Sequence, residues 1–216
     1  MFALLLLACD DTGGTQPFAG TKMSDYFAFE GARTNEYNNA DTAIDYKLIV
    51  QKKTQTTQEG DREIVTMEYT NGNTADVFGS VLWSSITSDS VVVHGYSLGT
   101  TGATITFDPP VAITDDDDAM RVGESVETET TDSDGNSFTY VSTLVEGVAT
   151  CPSTANDDFA QCVHMTIDDG DGDDAVGPLF TGDFVLVASW GPVFQTLPLW
   201  ESEWELTDME YTSTEE

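Results

Sequence analysis

The sequence predicts an all-β fold: a single domain over residues 23–212, built on an antiparallel curved sheet that forms a half-barrel or a sandwich. Short runs rich in Val, Thr, Tyr and Phe, which pleated surfaces prefer, are separated by turn residues along most of the chain. No stretch repeats apolar residues at the helical spacing i, i+3, i+4, i+7 over three turns. Strands joined by short turns, without crossover helices, must pair antiparallel.

The predicted strands alternate with clear turn signals. Asn-Gly-Asn at 71–73 and Asp-Ser-Asp-Gly-Asn at 132–136 predict tight turns, and Asp-Pro-Pro at 108–110 predicts the end of a strand. In the last run Trp204 and Leu206 alternate with glutamates, which favours a strand over a helix. The runs are 45–51, 62–70, 76–86, 90–98, 103–107, 122–131, 137–145, 161–167, 182–190 and 199–211.

Two of these runs, Ser90–His94 and Phe184–Trp190, are apolar without alternation. Strands that are apolar on both faces must be covered on both faces. Because no helix is predicted, other strands must provide the cover. We therefore expect these two strands to be central in a sandwich or a strongly curled half-barrel.

The start of the chain, Phe2–Ala8, is an apolar run far shorter than the roughly 20 residues that a spanning helix needs. It leads into Leu6-Leu7-Ala8-Cys9, which resembles the lipobox of bacterial lipoproteins. In those proteins the chain is cut before the cysteine, which carries a diacylglycerol. The resemblance implies a signal peptide over 1–8, lipidation of Cys9 and a flexible tether over 9–22. A buried strand or another kind of signal is the alternative.

The charge of the chain is strongly negative, with 39 acidic against 7 basic residues and a net charge of −32. Nucleic-acid binding requires Lys and Arg to neutralise phosphates, so nucleic acid is excluded as a partner. An anionic membrane surface is repelled too, so membrane contact must come from the lipid anchor. The lipobox resemblance, which this composition supports, implies a location in a bacterial cell envelope, periplasmic or surface-exposed.

The segment DYFAFEGARTNEY, residues 25–37, is similar to the opening of a group of bacterial lipoproteins of unknown function. Their domain begins with Tyr-Phe-Pro-Leu; Tyr26, Phe27 and Tyr37 match the pattern, whereas Ala28 replaces its proline. The resemblance implies an antiparallel curved sheet akin to periplasmic lipoprotein-carrier half-barrels, and it implies no active site. Further short similarities lie at 107–130, 145–165, 188–194 and 204–211.

The chain has three cysteines, and if Cys9 carries lipid, Cys151 and Cys162 remain as a pair. An oxidising compartment would allow one disulfide. Turn-forming residues separate the two cysteines, and strand-like runs flank them. The cysteines are therefore expected at the two ends of a loop that joins neighbouring antiparallel strands. Two free buried thiols are the alternative. The spacing is not the Cys-x-x-Cys of a redox pair.

Gly95-x-Ser97-x-Gly99 matches the nucleophile elbow of α/β-hydrolases, and His164 with an aspartate would complete a triad. That elbow leads into a helix, whereas the residues that follow here are rich in Gly and β-branched types. The serine hydrolase is therefore an alternative, not the main prediction. His94 and His164 alone are too few for a zinc site.

Three acidic loops could hold calcium, which takes six to eight oxygen ligands. Asp169, Asp171 and Asp173 have the spacing of the first three ligands of a calcium-binding loop, but Asp174 and Phe180 occupy positions where an EF-hand needs Gly and Glu. The loops are therefore interpreted as either a looser Ca²⁺ site or solvated turns. The clusters are 115–118, 132–136 and 168–174.

The functional prediction is a non-enzymatic, lipid-anchored extracytoplasmic protein that binds an apolar ligand or an envelope protein, or that has a structural role in the envelope. A Ca²⁺-stabilised adhesion-type domain and a serine hydrolase using Ser97 are the alternatives.

Overall fold

The computed structural model describes residues 23–27, 33–39, 47–59, 62–86, 90–100, 102–115, 121–148, 151, 162–169, 179–197 and 202–211. It is nearly all β. In chain order the elements are α1 (Met23–Phe27), β1 (Arg33–Asn39), β2 (Lys47–Glu59), β3 (Arg62–Asn71), β4 (Val77–Ile86), β5 (Ser90–Leu98), β6 (Ile105–Ala112), β7 (Ser125–Asp132), β8 (Ser137–Val148), β9 (Cys162–Asp168), β10 (Gly182–Val187), β11 (Gly191–Leu197) and β12 (Ser202–Tyr211).

The strands form one closed antiparallel barrel in which each strand pairs with its neighbours in the sequence. The barrel closes where β1 pairs with β12, from Arg33 opposite Tyr211 to Asn39 opposite Trp204. The prediction of an all-β, single-domain antiparallel fold is confirmed. The sheet curls further than a half-barrel, because the first and last strands complete the ring.

The connections of this meander lie alternately at two ends of the barrel. One end, called here the α1 end, holds the start of β1 and the β10–β11 turn at residues 188–190, where the Ser189 amide donates to the Asp25 carbonyl of α1 over 2.8 Å. The opposite end, called the hairpin end, holds the turns at 72–76 and 133–136. The two ends are filled by different segments.

Two short segments fill the barrel interior from opposite ends. At the α1 end, Met23, Tyr26 and Phe27 of α1 are all buried. At the hairpin end, Leu179 and Phe180 are fully buried just before β10. The helix α1 was not predicted, because five residues are too few to show a helical period.

The two inserts meet at Trp83 of β4. The Phe27 ring centroid lies 5.5 Å from that of Trp83, and the Phe180 ring centroid lies 6.3 Å from it. Gly79 of the same strand makes room for Leu179, since a Cβ there would collide with the Ser97 carbonyl oxygen and with the Leu179 side chain. The interior between β4 and β8 is therefore packed with aromatic rings and is not hollow.

The two strands predicted to be covered on both faces are paired on both sides within the ring. All five residues of Ser90–His94 are buried, as predicted. In β10, Phe184 and Leu186 are buried and Val185 is half-buried, so its outer face is only partly covered. The residues of this run after β10 form the β10–β11 turn and not a strand.

The ladder between β6 and β7 is the weakest in the described sheet. The prediction that a strand stops at Asp108 is wrong, because β6 continues through Pro109 and Pro110 and pairs with β5 as far as Ala112. Proline has no N–H to donate, and β7 pairs with β6 at only two positions. Threonine side chains substitute for the ladder: the Ala112 amide donates to Thr128 Oγ1 over 3.1 Å, and Thr130 Oγ1 donates to the Pro109 carbonyl over 2.6 Å.

Three strand predictions were incomplete. β1 and β11 had not been predicted, and β2 extends to Glu59 although its predicted run ended at residue 51. The later part of β2 is polar throughout, so it lacks the apolar alternation that marks a half-buried strand. β1 has polar residues at its buried positions, so it also lacks the apolar alternation of a strand. These residues form the site described next.

Candidate functional site

A small cavity, lined by both apolar and polar residues, lies inside the barrel near the α1 end. Its volume is about 20 Å³. Phe27 of α1 and Trp190 of the β10–β11 turn contribute apolar walls. The polar residues that line it are Arg33, Asn35, Tyr37, Tyr69 and Gln195.

The pleat of β1 places three of these residues side by side. Side chains alternate between the two faces of a strand, and Arg33, Asn35 and Tyr37 are buried whereas the residues between them are half-buried. β1 therefore points a charge and an amide into the barrel, the reverse of the usual apolar-in pattern. This is why apolar alternation did not reveal the strand, and only the Tyr37 match in the lipoprotein-like opening pointed to this segment.

A directed chain of hydrogen bonds runs along one wall of the cavity. Asn35 Nδ2 donates to the Tyr37 hydroxyl oxygen over 3.2 Å. The Tyr37 hydroxyl in turn donates to the Pro192 carbonyl of β11 over 2.8 Å. The chain links β1 to β11, two strands that are separated by β12 in the sheet.

Arg33 binds the β10–β11 turn from inside the barrel. Its Nη1 donates to the Ser189 and Trp190 carbonyl oxygens, each over 3.1 Å, and its side chain is only 4% exposed. A guanidinium stays charged in proteins. The site therefore contains a permanent positive charge in a protein whose net charge is −32.

Burial also affects the two tyrosines of the cavity. Burial raises the pKa of Tyr37 to about 12, although the Asn35 hydrogen bond and the Arg33 charge act in the opposite direction. Burial likewise raises the pKa of Tyr69, and the nearby Tyr37 adds to the increase. Both hydroxyls are therefore neutral at physiological pH and can donate a proton in a hydrogen bond.

Two buried amide atoms of residues that line this cavity have no hydrogen-bond partner among the described residues: Asn35 Oδ1 and Gln195 Nε2. The side chains are 5% and 1% exposed. Nearly all buried polar groups in proteins are hydrogen-bonded, so an exception requires an explanation.

The structure supports the predicted disulfide. Cys151 and Cys162 are paired, with Cα atoms 5.6 Å apart, and both are buried. Cys162 begins β9 opposite Val148, which ends β8, so the pair lies where the loop leaves the sheet, as predicted. Cys9, the predicted signal peptide at 1–8 and the tether at 9–22 lie outside the described residues.

The predicted calcium ligands are mostly outside the described residues as well. Asp169 is described, but Asp171 and Asp173 are not. In the part of the chain that can be examined, no group of three or more His, Cys, Asp or Glu residues is placed to hold a metal.

The acidic cluster at 132–136 is a hairpin turn. Asp132 Oδ1 accepts from the amides of Asp134 and Asn136 over 2.9 and 2.8 Å, and its Oδ2 accepts from the Asn136 side chain over 3.0 Å. The Asn136 side chain makes the largest contribution in lowering the pKa of Asp132. The Asp132 carboxylate therefore stabilises the turn.

The hydrolase-like residues are not brought together. Ser97 Oγ lies 2.9 Å from Ser80 Oγ, and the chain continues into β6 instead of a helix. His94 Nε2 lies 2.6 Å from Ser84 Oγ. His164 is on β9, with β6, β7 and β8 between it and Ser97, and its Nε2 lies 3.4 Å from Asp183 Oδ1.

A second hollow, an open groove of about 430 Å³, follows the weak β6–β7 ladder. Asp108, Glu129, Thr130 and Phe138 are among the residues that line it. The groove lies where Pro109 and Pro110 prevent regular pairing, so its position is explained by the strand chemistry alone.

No family model, curated protein or solved structure matches this chain. Within the described ranges, no helix has both the length and the apolar character to span a membrane.

Proposed function

We propose that the protein is a lipid-anchored, extracytoplasmic and non-enzymatic barrel that acts as a binding or structural module of a bacterial cell envelope. The observation that supports this most is the pairing of Cys151 with Cys162. Disulfides persist in oxidising compartments and are rare in the cytosol. The pair therefore agrees with export, which the lipobox-like residues before Cys9 predict independently.

The packed interior favours a protein partner over an apolar ligand held in the barrel. Phe180 and Leu179 are fully buried inside it, and the cavity near the α1 end has a volume of only about 20 Å³. Small-molecule pockets typically measure roughly 300–1,000 Å³. The partner would therefore bind an outer surface or an end of the barrel.

The placement of Ser97 argues against the alternative of a serine hydrolase. A serine nucleophile needs a base within hydrogen-bond reach. The hydroxyl of Ser97 instead lies beside that of Ser80, and both histidines have other side chains beside them.

The test is fractionation of the full chain expressed in a bacterium with a lipoprotein pathway. The wild type should sediment with membranes and carry a diacylglycerol on Cys9, detected by mass spectrometry. Cys9→Ser should release the protein from the membrane fraction. The matched control is Cys151→Ser with Cys162→Ser, which removes the disulfide but leaves the anchor and should not change the fraction.

Two results would contradict the proposal. An intact Met1–Ala8 peptide on the mature protein would show that no cleavage before Cys9 takes place. Free Cys151 and Cys162 thiols in protein trapped by acid before alkylation would remove the evidence for an oxidising compartment.

A further inference from the structure

The groove along the β6–β7 ladder is large enough to hold an organic group. Its volume of about 430 Å³ lies within the roughly 300–1,000 Å³ that is typical of ligand pockets. Thr131 and Ser137, which flank the turn at 133–136, both line it, so it reaches the hairpin end of the barrel wall. It therefore opens away from α1 and from the chain that leads into α1.

The strand register places five polar side chains of the groove on one face of the sheet. Thr131 lies opposite Ser137 of β8 and opposite Asp108 of β6. Glu129, two residues earlier in β7, lies opposite Thr139, and residues two apart in a strand share a face. Asp108 and Glu129 are therefore diagonal neighbours, a position in which Cα atoms are roughly 7–8 Å apart.

The hydrogen-bonding capacity of these five side chains is unused. Among the described residues, none of them forms a side-chain hydrogen bond or an ion pair. The Thr130 hydroxyl donates its proton to the Pro109 carbonyl, Pro109 has no N–H, and a carboxylate can only accept. The side chains of the groove thus offer more acceptors than donors, which suits a ligand rich in donors.

The charge of the groove favours a cation. Two carboxylates line it and no basic residue does, and like charges on neighbouring strands repel each other. A neutral sugar could use the hydroxyls, but it would leave this repulsion in place. Calcium takes six to eight oxygen ligands, whereas no group of three or more acidic, His or Cys side chains in the described ranges is placed to hold a metal.

The groove also has apolar surface for the body of an organic cation. Exposed Pro109 and half-buried Phe138 line it beside the carboxylates. A lysine side chain combines an aliphatic stem, which packs on apolar surface, with an ammonium that has three donors. These three donors match two carboxylates and a neighbouring hydroxyl better than the planar fork of an arginine, which pairs best with one carboxylate.

We propose that the β6–β7 groove binds a lysine side chain carried by an extended segment of a partner protein. The open shape of the groove leaves room for the main chain on either side of that lysine. The proposal rests on the binding role proposed above and gives the chemistry of the partner. It does not depend on the lipid anchor, so fractionation and the experiment described next can fail independently.

The test is an NMR titration of the ¹⁵N-labelled full chain with the peptide acetyl-Gly-Lys-Gly-amide at constant ionic strength. Chemical-shift changes should concentrate at Asp108, Glu129 and Thr131. The same peptide acetylated on the lysine Nζ keeps the stem but loses the charge, so it should bind about fivefold more weakly or worse. Equal binding of the two peptides, or shifts spread evenly over the acidic surface, would overturn the proposal.

The variant Asp108→Asn with Glu129→Gln should weaken binding of the lysine peptide by about fivefold. The matched control is Glu203→Gln with Glu205→Gln on β12, which removes the same charge outside the groove. All four side chains are exposed, so both variants should fold, and the control should bind within about twofold of the wild type because salt screens distant charges. Equal weakening by both variants would mean attraction by net charge alone and would overturn the proposal.

Three competing ligands separate the remaining explanations. Tighter binding of maltose than of the lysine peptide would assign the groove to a sugar. Tighter binding of calcium at equal ionic strength would assign it to a metal, and tighter binding of 1,5-diaminopentane would assign it to a free amine. Each of these results would overturn a site for a protein-borne lysine, whereas weaker binding of all three supports it.

Discussion

Replacing Phe180 by alanine tests whether the barrel interior is packed. The side chain is fully buried, and its ring is in contact range of four other aromatic rings. The centroid distances are 5.2 Å to Tyr140, 5.8 Å to Phe107, and 6.3 Å to both Tyr96 and Trp83.

The expected loss for Phe180→Ala is about 3–5 kcal/mol, which combines the transfer free energy of the ring with the cavity that it leaves. Its neighbours come from four different strands, so they cannot close on the cavity without moving the barrel wall. Since domains unfold with about 5–15 kcal/mol in total, the variant should lose about a fifth of its stability or more. Phe180→Leu, which keeps most of the apolar volume, should lose only about 1–1.5 kcal/mol.

Urea denaturation followed by tryptophan fluorescence measures this directly, because Trp83 contacts the substituted ring. Val145→Ala is the matched control: Val145 is 40% exposed, and its loss should stay within about 0.5 kcal/mol. If Phe180→Ala unfolds at the wild-type urea concentration with an unchanged m-value, the interior is not packed around Phe180 and the argument against a ligand-filled lumen fails.

Four further predictions concern disulfide, pH and calcium. Removing the disulfide with Cys151→Ser and Cys162→Ser should lower the free energy of unfolding by about 2–3 kcal/mol, measured in urea, because the crosslink closes a loop with a sequence separation of 11. The pKa of Asp132 is lowered on folding, so the stability that its carboxylate contributes is complete above its ordinary pKa of 3.8 and is lost as the pH falls through the folded pKa. Asp132→Asn should therefore flatten the acid branch of a plot of melting temperature against pH. An unchanged acid branch would refute the role of this carboxylate. The pKa of Tyr37 is raised from 10.0 to about 12, so the stability that its neutral hydroxyl contributes is complete below pH 10 and is lost as the pH rises toward 12. Tyr37→Phe should therefore make the alkaline branch of the same plot less steep. If residues 168–174 bind calcium, the melting temperature should be higher in calcium than in chelator at equal ionic strength, and equal values would leave only solvated turns.

Most of the sheet was predictable because its strands carry local signals. Runs such as Arg62–Asn71 and Ser90–Leu98 combine β-branched residues with flanking turn residues, and the structure ends them within a residue or two of the prediction. The Asp132 turn and the disulfide loop also depend on neighbouring residues. Residues that are close together in the sequence determine these strands and turns, so they could be predicted from the sequence alone.

The cavity could not be predicted because the residues that line it are far apart in the sequence. Arg33 and Asn35 are of residue types that are typical of a solvated surface, and only the fold brings Gln195, 160 residues after Asn35, to the same cavity. The same holds for Phe180, which follows the acidic loop and has no neighbouring apolar pattern to indicate that it enters the barrel. Closure of the ring likewise depends on the register between the first and last strands, which no local signal encodes.

The closing β1–β12 ladder also determines when folding can finish. Thr207 Oγ1 donates to the Glu36 carbonyl across a sequence separation of 171 residues, so this ladder cannot form until nearly the whole described chain is available. Contacts between such distant residues are slow to form, because the entropy of closing a long loop opposes them. Until then the partly folded sheet has two unpaired edges, which are the surfaces through which β proteins associate incorrectly. Arrival of the last strand therefore removes both edges at once, and the time before its arrival is the period in which the chain is most exposed to such association.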